Sequence, residues 1–420
     1  MTGALAILAV AAVLLAVRQN LLVVLGVATG MAYWFWGDGQ IQNIINDGWD
    51  GLNRDVLLSI PMYLLAGAIM ARGAIAKRLI RLARAFSAPI PGGLAIATVL
   101  SCAMFAAVTG SGTVTLLAVG AVMYPALLEA GYSKRFSLGA LCAAGTLGIV
   151  VPPSIPLILY GVMTQTSISE LFIAGIGPAL LLTAFMSAWA IARNWRFRMG
   201  SWNLREIRVA LRQGTWSLNM PVIILGGIYS GFFTATESAA IAVVYGFFVE
   251  IVIHREMRFK EIMEVITSTT RLMGSLFPVL MMALALNVFL TYEQVPDLAV
   301  EWLSAHIHSL PGFILAMNAF LLLVGCFMDI GSAILILAPL LQPIAVAQGM
   351  DSVHFGVVMV VNLEMGYLTP PMGLNIIVAM TAFNESFGEI CRAVLPFLAL
   401  MLAALFVVSF WPGLSLFLLQ

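Results

Sequence analysis

The sequence predicts an all-α polytopic membrane protein built as an inverted-topology repeat, with two re-entrant hairpins and two broken helices. Three observations predict it. Of 420 residues, 61% are hydrophobic and only 10% charged, against about 25% charged in soluble domains. Two apolar segments carry a central proline pair, in Gly148-Ile149-Val150-Val151-Pro152-Pro153-Ser154 and Gly366-Tyr367-Leu368-Thr369-Pro370-Pro371-Met372. Loop charges then orient these two segments oppositely across the bilayer.

Two adjacent prolines remove amide donors and clash with the preceding turn, so each helix must break there. Unwound backbone at membrane depth survives only when buried in protein or lining a wet cavity. Net charge is zero, from 20 basic and 20 acidic residues, so nothing argues for nucleic acid as a partner. Cys102, Cys142, Cys326 and Cys391 lie singly in apolar segments and read as small buried hydrophobes.

Lysine and arginine accumulate in cytoplasmic loops, which orients each element in turn. The apolar run Thr2–Val17 reads as a short first helix. The loop Gly37–Asn53 holds Asp38, Asp47 and Asp50 and no basic residue, so it lies outside. Asp55–Ala71 crosses to an inside cluster of Arg72, Lys77, Arg78, Arg81 and Arg84. Two arms, Gly92–Val108 and Thr113–Glu129, meet at Thr109-Gly110-Ser111-Gly112, and the next loop, with Lys134 and Arg135, is inside again. The arms are either full spans with a very short turn or a re-entrant hairpin ending at mid-membrane; the small, hydroxylated tip favours the hairpin.

The first broken helix covers Phe136–Met163 and exits outside at Thr164–Ser169. Leu171–Ala192 returns to Arg193, Arg196 and Arg198. Ser201–Trp216, amphipathic and basic (Arg205, Arg208, Arg212), reads as a helix on the cytoplasmic interface. Leu218–Tyr229 ascends, and Thr236–Ile253 descends to His254, Arg255, Arg258 and Lys260. A second amphipathic piece, Phe259–Leu272, precedes the ascending Gly274–Tyr292. The loop Glu293–Pro311, with Glu293, Asp297 and Glu301, is outside. A second pair of arms, Gly312–Cys326 and Ser332–Ala347, meets at Phe327-Met328-Asp329-Ile330-Gly331 and ends outside at Gly349–Val353. The second broken helix covers His354–Thr381 and reaches Arg392 inside; Val394–Trp411 crosses last.

One register relates the halves. An offset of 218 residues carries Pro125 onto Pro343, Gly131 onto Gly349, Gly148 onto Gly366, Pro152 and Pro153 onto Pro370 and Pro371, and Pro178 onto Pro396, with Pro61 and Pro278 one position off. The matched segments run in opposite directions, the arrangement that places substrate and coupling ions near the midplane.

Sodium takes hard oxygen ligands, and a broken helix offers free carbonyls at the negative end of its first half. The candidate ligands in the first half are Thr109, Gly110, Ser111, Gly112 and Thr113 with Gly148, Val151 and Ser154. In the second half they are Met328, Asp329, Ile330 and Gly331 with Gly366, Thr369 and Met372. The glycines, Met328, Val151, Ile330 and Met372 act through carbonyls alone. Gly110-Ser111-Gly112 also suits close helix packing. Asp329 needs a cation or a hydrogen-bond donor, because a carboxylate in an apolar stretch costs at least ~2.5–3.5 kcal/mol. Glu237, in Thr234-Ala235-Thr236-Glu237-Ser238, is either a helix cap or an ion-site neighbour. The half-helices beginning past the prolines present free amides, which suits an anionic group. Ser111, Pro153, Asn362, Glu364, Pro371 and Asn375 are the candidates to line a substrate cavity. Catalysis is disfavoured: no HExxH occurs and Gly110-Ser111-Gly112 lacks the spacing of a nucleophile elbow. A channel remains the other class, but paired breaks suit alternating access better.

The runs TGSGTVT, GTLGIVVPPSIPLILYG, YSGFFTATESAAIAVVYG, GCFMDIGSAILILAPLLQPIA and MGYLTPPMGLNIIV resemble the large membrane subunit of tripartite ATP-independent periplasmic (TRAP) transporters, across essentially the whole chain. The resemblance implies a sodium-driven importer of organic anions such as C4-dicarboxylates, multi-pass in the bacterial inner membrane, with no cofactor beyond the coupling ion. It implies a one-sided elevator with an ion-transporter-superfamily-like fold. Transport segments would be about 91–170 and 311–392, and scaffold segments about 1–90, 171–292 and 393–420. It also implies two partners, a small four-helix membrane subunit and a periplasmic substrate-binding protein. A divalent-anion/sodium symporter, working without a binding protein, is similar in architecture.

Overall fold

Proline pairs and capping side chains, more than hydrophobic length, decide where these helices begin and end. The computed structural model describes residues 6–419 except 7, 8, 11, 12, 15, 16, 18, 38, 73, 74, 198, 199, 307, 308, 371 and 372, and describes 299 and 302–306 by backbone alone. Every regular element among the described residues is helical. Eight segments among the described residues are long and apolar enough to cross a membrane. The first helix expected over 2–17 falls largely outside the described residues.

In chain order, α1 (Leu21–Phe35), α2 (Gln42–Leu52) and a 3-10 turn lead to α3 (Ser59–Arg72) and the basic α4 (Ile75–Ser87). The first hairpin is α5 (Gly93–Thr109) and α6 (Gly112–Glu129), and the first broken helix is α7 (Lys134–Val150) and α8 (Ile155–Thr164). Outer helices α9 (Ile168–Arg193), α10 (Leu204–Tyr229), α11 (Ala235–Phe247), α12 (Phe259–Tyr292) and α13 (Val295–His306) follow. The second hairpin is α14 (Leu310–Gly325) and α15 (Ile330–Ala347), and the second broken helix is α16 (Ser352–Gly366) and α17 (Leu374–Phe383). α18 (Phe387–Phe410) and the short α19 (Gly413–Leu416) end the chain.

The starts follow local chemistry. Ser133, Ser154, Ser167 and Asp351 each accept a first-turn amide with the side chain, satisfying donors that the helix leaves orphaned. Thr234 and Glu237 form a capping box, with Glu237 Oε2 2.8 Å from Thr234 N. That resolves Glu237 as a cap.

Two interfacial pieces expected as separate helices are not separate. Ser201–Trp216 runs on into the span as α10, and Phe259–Leu272 runs on as α12, 34 residues long. Pro221 and Gly274, close to the two junctions, are both accommodated within helix, so the change from amphipathic to apolar pattern occurs without a break. Likewise, the acidic loops contain helices, α2 and α13.

The two broken helices form the centre. For the α7–α8 segment, 83% of its apolar window is buried, against 33–50% for the other spans. α7 is gripped by both arms of the first hairpin, and α16 by both arms of the second. The second half-helices then cross over. α8 lies on α15, where Leu159 approaches Gly331, and α17 lies on α6, where Phe383 fills the space a Cβ on Gly120 would need. The repeats are therefore interlocked, each completing the other's packing. Around this core, α12 is fastened to α1 by Thr29 Oγ1 donating to Met282 O (3.1 Å) and by Tyr33 OH donating to Ala285 O (3.0 Å). α4 bridges the outer helices and the first hairpin, packing on α5 and α10.

Candidate functional site

Each hairpin tip ends on a helix break, and glycine makes both contacts possible. A Cβ on Gly148 would lie 2.5 Å from the Ser111 carbonyl, and one on Gly110, at φ +60°, would lie 2.5 Å from Pro153 O. In the second repeat, a Cβ on Gly366 would lie 2.2 Å from Gly325 O. Only hydrogen fits in these gaps. Because the first break falls within the 31-residue segment Lys134–Thr164, the tip meets it at mid-depth, the geometry of a re-entrant hairpin.

The breaks interrupt the backbone ladder, and the two repeats treat the stranded carbonyls differently. Proline at 152 leaves the Gly148 carbonyl without its i+4 amide, and Ser154 Oγ takes over the Ile149 carbonyl that Pro153 cannot serve. In the second break, Thr369 N donates to Gly366 O (3.1 Å), Asn375 N to Tyr367 O (3.2 Å) and Thr369 Oγ1 to Met365 O (2.8 Å). Thr109 Oγ1 donates to Phe105 O (3.1 Å) and sits 3.2 Å from Thr115 Oγ1, which donates to Ser111 O (2.8 Å). Ser111 caps α6 by position but makes no side-chain cap bond. Asp329 caps α15: its carboxylate accepts from Ser332 N (2.9 Å) and from Ser332 Oγ. The donor partner that this carboxylate required is thus its own helix.

Both tips open onto one cavity of about 460 Å³, within the range of small-molecule sites. Gly110, Ser111, Gly112 and Thr113 line it from the first repeat, and Asp329, Ile330, Gly331 and Ser332 from the second. Ile155 and Pro156, at the start of α8, complete that wall. Three helix N-termini, those of α6, α8 and α15, therefore face the same space. Their N-terminal dipoles give it a positive partial charge suited to an anion, offset at α15 by the Asp329 carboxylate that takes up Ser332 N. The opposite wall is Leu64 of α3 with Leu272, Ser275, Leu276 and Val279 of α12.

The remaining sequence-predicted residues divide. Gly148, Val151, Ser154, Pro153, Met328, Gly366 and Thr369 lie at the tips or breaks, behind the cavity wall. Asn375 reaches the first repeat, with Thr113 Oγ1 3.5 Å from its Oδ1. Asn362 does not line the cavity: its Nδ2 donates to Asn318 O (3.0 Å) and Oδ1 (2.7 Å), tying α16 to α14, and Asn318 in turn donates to Ser409 Oγ (3.0 Å). Glu364 is also turned away from it, fully buried where α16 passes α7, beside Thr146. Pro371 and Met372 lie outside the described residues. Among the described residues no cluster of three metal-ligating acids, histidines or cysteines occurs.

Sequence reasoning missed the far wall and Tyr367, which also lines the cavity. It missed Gly67 as well, where a Cβ would lie 2.7 Å from Thr109 O, so that only glycine lets α3 pack against the first tip. Leu64, Gly67 and Ser275 are ordinary residues of ordinary helices; only three-dimensional proximity marks them.

Comparison with known proteins decides the family. The family described as the tripartite ATP-independent periplasmic transporter, DctM component, matches residues 8–414. This chain belongs to that family. It is 40% identical over 395 residues to the C4-dicarboxylate TRAP transporter large permease protein DctM of Pseudomonas aeruginosa, covering 93% of this chain and 92% of that protein. It is 36% identical over 385 residues to the isethionate TRAP transporter permease protein DctMQ of Oleidesulfovibrio alaskensis, covering 91% of this chain and 61% of that protein. The fold resembles the YdaH transporter of Alcanivorax borkumensis, with a TM-score of 0.65 at 15% identity over 88% of this chain and 87% of that one. The chain is thus a multi-pass membrane protein of a transporter family, and the relatives named above are permeases.

Proposed function

We propose that this chain is the large permease subunit of a sodium-coupled secondary transporter importing an organic anion, a carboxylate, across the bacterial inner membrane. The observation that carries the reading is the convergence of three helix N-termini on one cavity, backed by the carbonyl freed at the first break. The amides suit a carboxylate and the carbonyls suit a cation, so one site holds two opposite charges that each lower the other's cost. Sodium would be held in the first half by the Gly148 and Val151 carbonyls with the tip Thr109–Thr113 and Ser154. In the second half it would be held by Asp329 with Met328, Ile330, Gly331, Gly366, Thr369 and Met372.

Movement follows from the two unlike walls. The hairpins and broken helices form an interlocked body, while α3 and α12 belong to the outer helices. Sliding the first body past the second would carry the cavity across the membrane, an elevator. Gly67, pressed against Thr109, sits where such sliding needs a smooth surface. Relatives named for C4-dicarboxylates and isethionate support an organic-anion substrate. The 61% coverage of the DctMQ relative supports a separate small membrane subunit here, and the family description supports a periplasmic binding protein as donor.

The test is uptake into proteoliposomes holding this chain and its small subunit. A sodium gradient should drive accumulation only when the cognate binding protein is present. Accumulation without it would instead favour a stand-alone divalent-anion symporter, and flux without saturation a channel.

A further inference from the structure

The end of the molecule carrying the basic residues holds a second cavity, of about 580 Å³, unrelated to the hairpin tips. It lies between α4, α10 and the end of α11, and is lined by Arg78, Arg212, Gln213 and His254 with Val209, Trp216 and Ile253. No carboxylate lines it. Arg78 gives one amino group to Glu256 (2.5 Å), but its Nη1 is buried without a partner, as is His254 Nε2. Arg212 makes no ion pair among the described residues, and Gln213 is held by Arg81, whose Nη1 donates to its Oε1 (2.8 Å). Arg212 thus brings to the pocket a guanidinium without a counter-charge, beside Arg78, which is held on one side by Glu256 and has its other amino group unpartnered.

The cavity's shape is set by the helices around it. The helix of α11 widens into a π turn over Phe248–Ile253, with His254 as its cap, and such turns recur at functional sites. It brings Ile253 and His254 to the pocket while Ile251 and Val252 face outward, 39% and 53% exposed. Phe248, Val244 and Val222 continue that exposed apolar track along the two spans, and Trp216 stands at its mouth, as aromatic belt residues do. A small inorganic anion would use only the basic pocket. A molecule with an anionic head and acyl chains would use both.

We propose that this pocket binds the phosphodiester headgroup of an anionic phospholipid from the cytoplasmic leaflet. Arg212 and Arg78 face the phosphate, Gln213 the glycerol oxygens, and the Trp216–Val244–Phe248 surface the acyl chains. Because α4 joins the outer helices to the first hairpin, a bound headgroup would also brace that junction.

The full-length permease in a neutral detergent should be titrated with short-chain phosphatidylglycerol, short-chain phosphatidylcholine and inorganic phosphate, following thermal unfolding. Phosphatidylglycerol alone should raise the melting temperature saturably. R212Q, at an exposed position that should fold normally, should weaken its apparent affinity about fivefold, whereas R205Q, outside the pocket, should leave it unchanged. Equal stabilisation by phosphatidylcholine, an equal response to phosphate, or an R212Q titration matching the unsubstituted protein would each overturn the assignment.

Discussion

The two repeats solve the same problem with different chemistry. The 218-residue offset places Ser111 on Asp329, the residues that start the second arm of each hairpin, and Gly148 on Gly366, the residues on which each tip rests. In the first repeat the cap is neutral, its hydroxyl makes no cap bond, and the Gly148 carbonyl has lost its amide to Pro152. In the second the cap is a carboxylate already bonded to Ser332, and the Gly366 carbonyl is served by Thr369. The arms also differ: those of the first hairpin lie against each other, while those of the second scarcely touch and clasp α16 between them. Backbone geometry is what the halves share, so it is the part the mechanism cannot vary. Side-chain charge is what differs, so it is where the halves divide the labour.

The shared part gives the largest expected effect. Gly148→Ala and Gly366→Ala each force a methyl against backbone that has no room, at 2.5 and 2.2 Å, and overpacking costs about 1–3 kcal/mol or more. Both variants should lose uptake and unfold at lower temperature by a similar amount. Gly226→Ala, with open space around it, serves as the control. A severe loss in one variant and normal uptake in the other would break the claim that the two breaks are equivalent.

The unshared part gives the next effect. Asp329→Ala removes both a cap, about 1 kcal/mol, and a full negative charge beside the cavity. The sodium concentration for half-maximal uptake should rise about tenfold, the equivalent of about 1.4 kcal/mol. Ser111→Ala removes only a neutral oxygen and should shift it several-fold less. Equal sodium curves for the two variants would mean that charge does not distinguish the halves.

A smaller effect is expected where the repeats touch. Thr113→Val removes the hydroxyl facing Asn375 across the repeat boundary at 3.5 Å, a long and weak contact worth well under the roughly 1 kcal/mol of an ordinary hydrogen bond. Substrate affinity should fall about twofold or less, and sodium dependence should shift less than in Ser111→Ala. A sodium effect as large as that of Asp329→Ala would make the Thr113 hydroxyl a principal sodium ligand rather than a minor member of the tip.

What the sequence showed and what it hid follow the same division. Both breaks and both tips were legible, because a proline cannot donate and a carboxylate cannot sit unpartnered in lipid; such facts hold whatever surrounds the residue. The reach of α10 and α12 was not, since a helix can change its pattern from amphipathic to apolar without a break. Asn362 and Glu364 were placed near the cavity by their distance along the chain from the break. Helical rotation sends them inward instead, one to Asn318 and the other to the buried face near Thr146. The far wall, from Leu64 to Val279, left no local mark at all.

The smallest effect lies in the loops that follow the second half-helices. In the first repeat Ser167 closes the loop by capping α9, a contact that does not titrate. In the second, Glu385 closes it by accepting from Lys134 Nζ (2.6 Å) and from Tyr124 OH (2.8 Å). The Lys134 ammonium, with help from Tyr124, holds this carboxyl below its ordinary value of 4.5. A carboxyl lowered in the folded protein contributes stability that is fully present above its unfolded value and is lost as pH falls through the folded one. The second loop should therefore loosen on acidification below about 4.5 while the first does not. Lys134 is half exposed, so the difference should be modest, roughly 1–2 °C in melting temperature. Glu385→Gln should lower the melting temperature by that amount at neutral pH and leave it unaltered in acid, where the native carboxyl is already protonated. An equal deficit at both pH values would assign Glu385 a packing role rather than a titrating one.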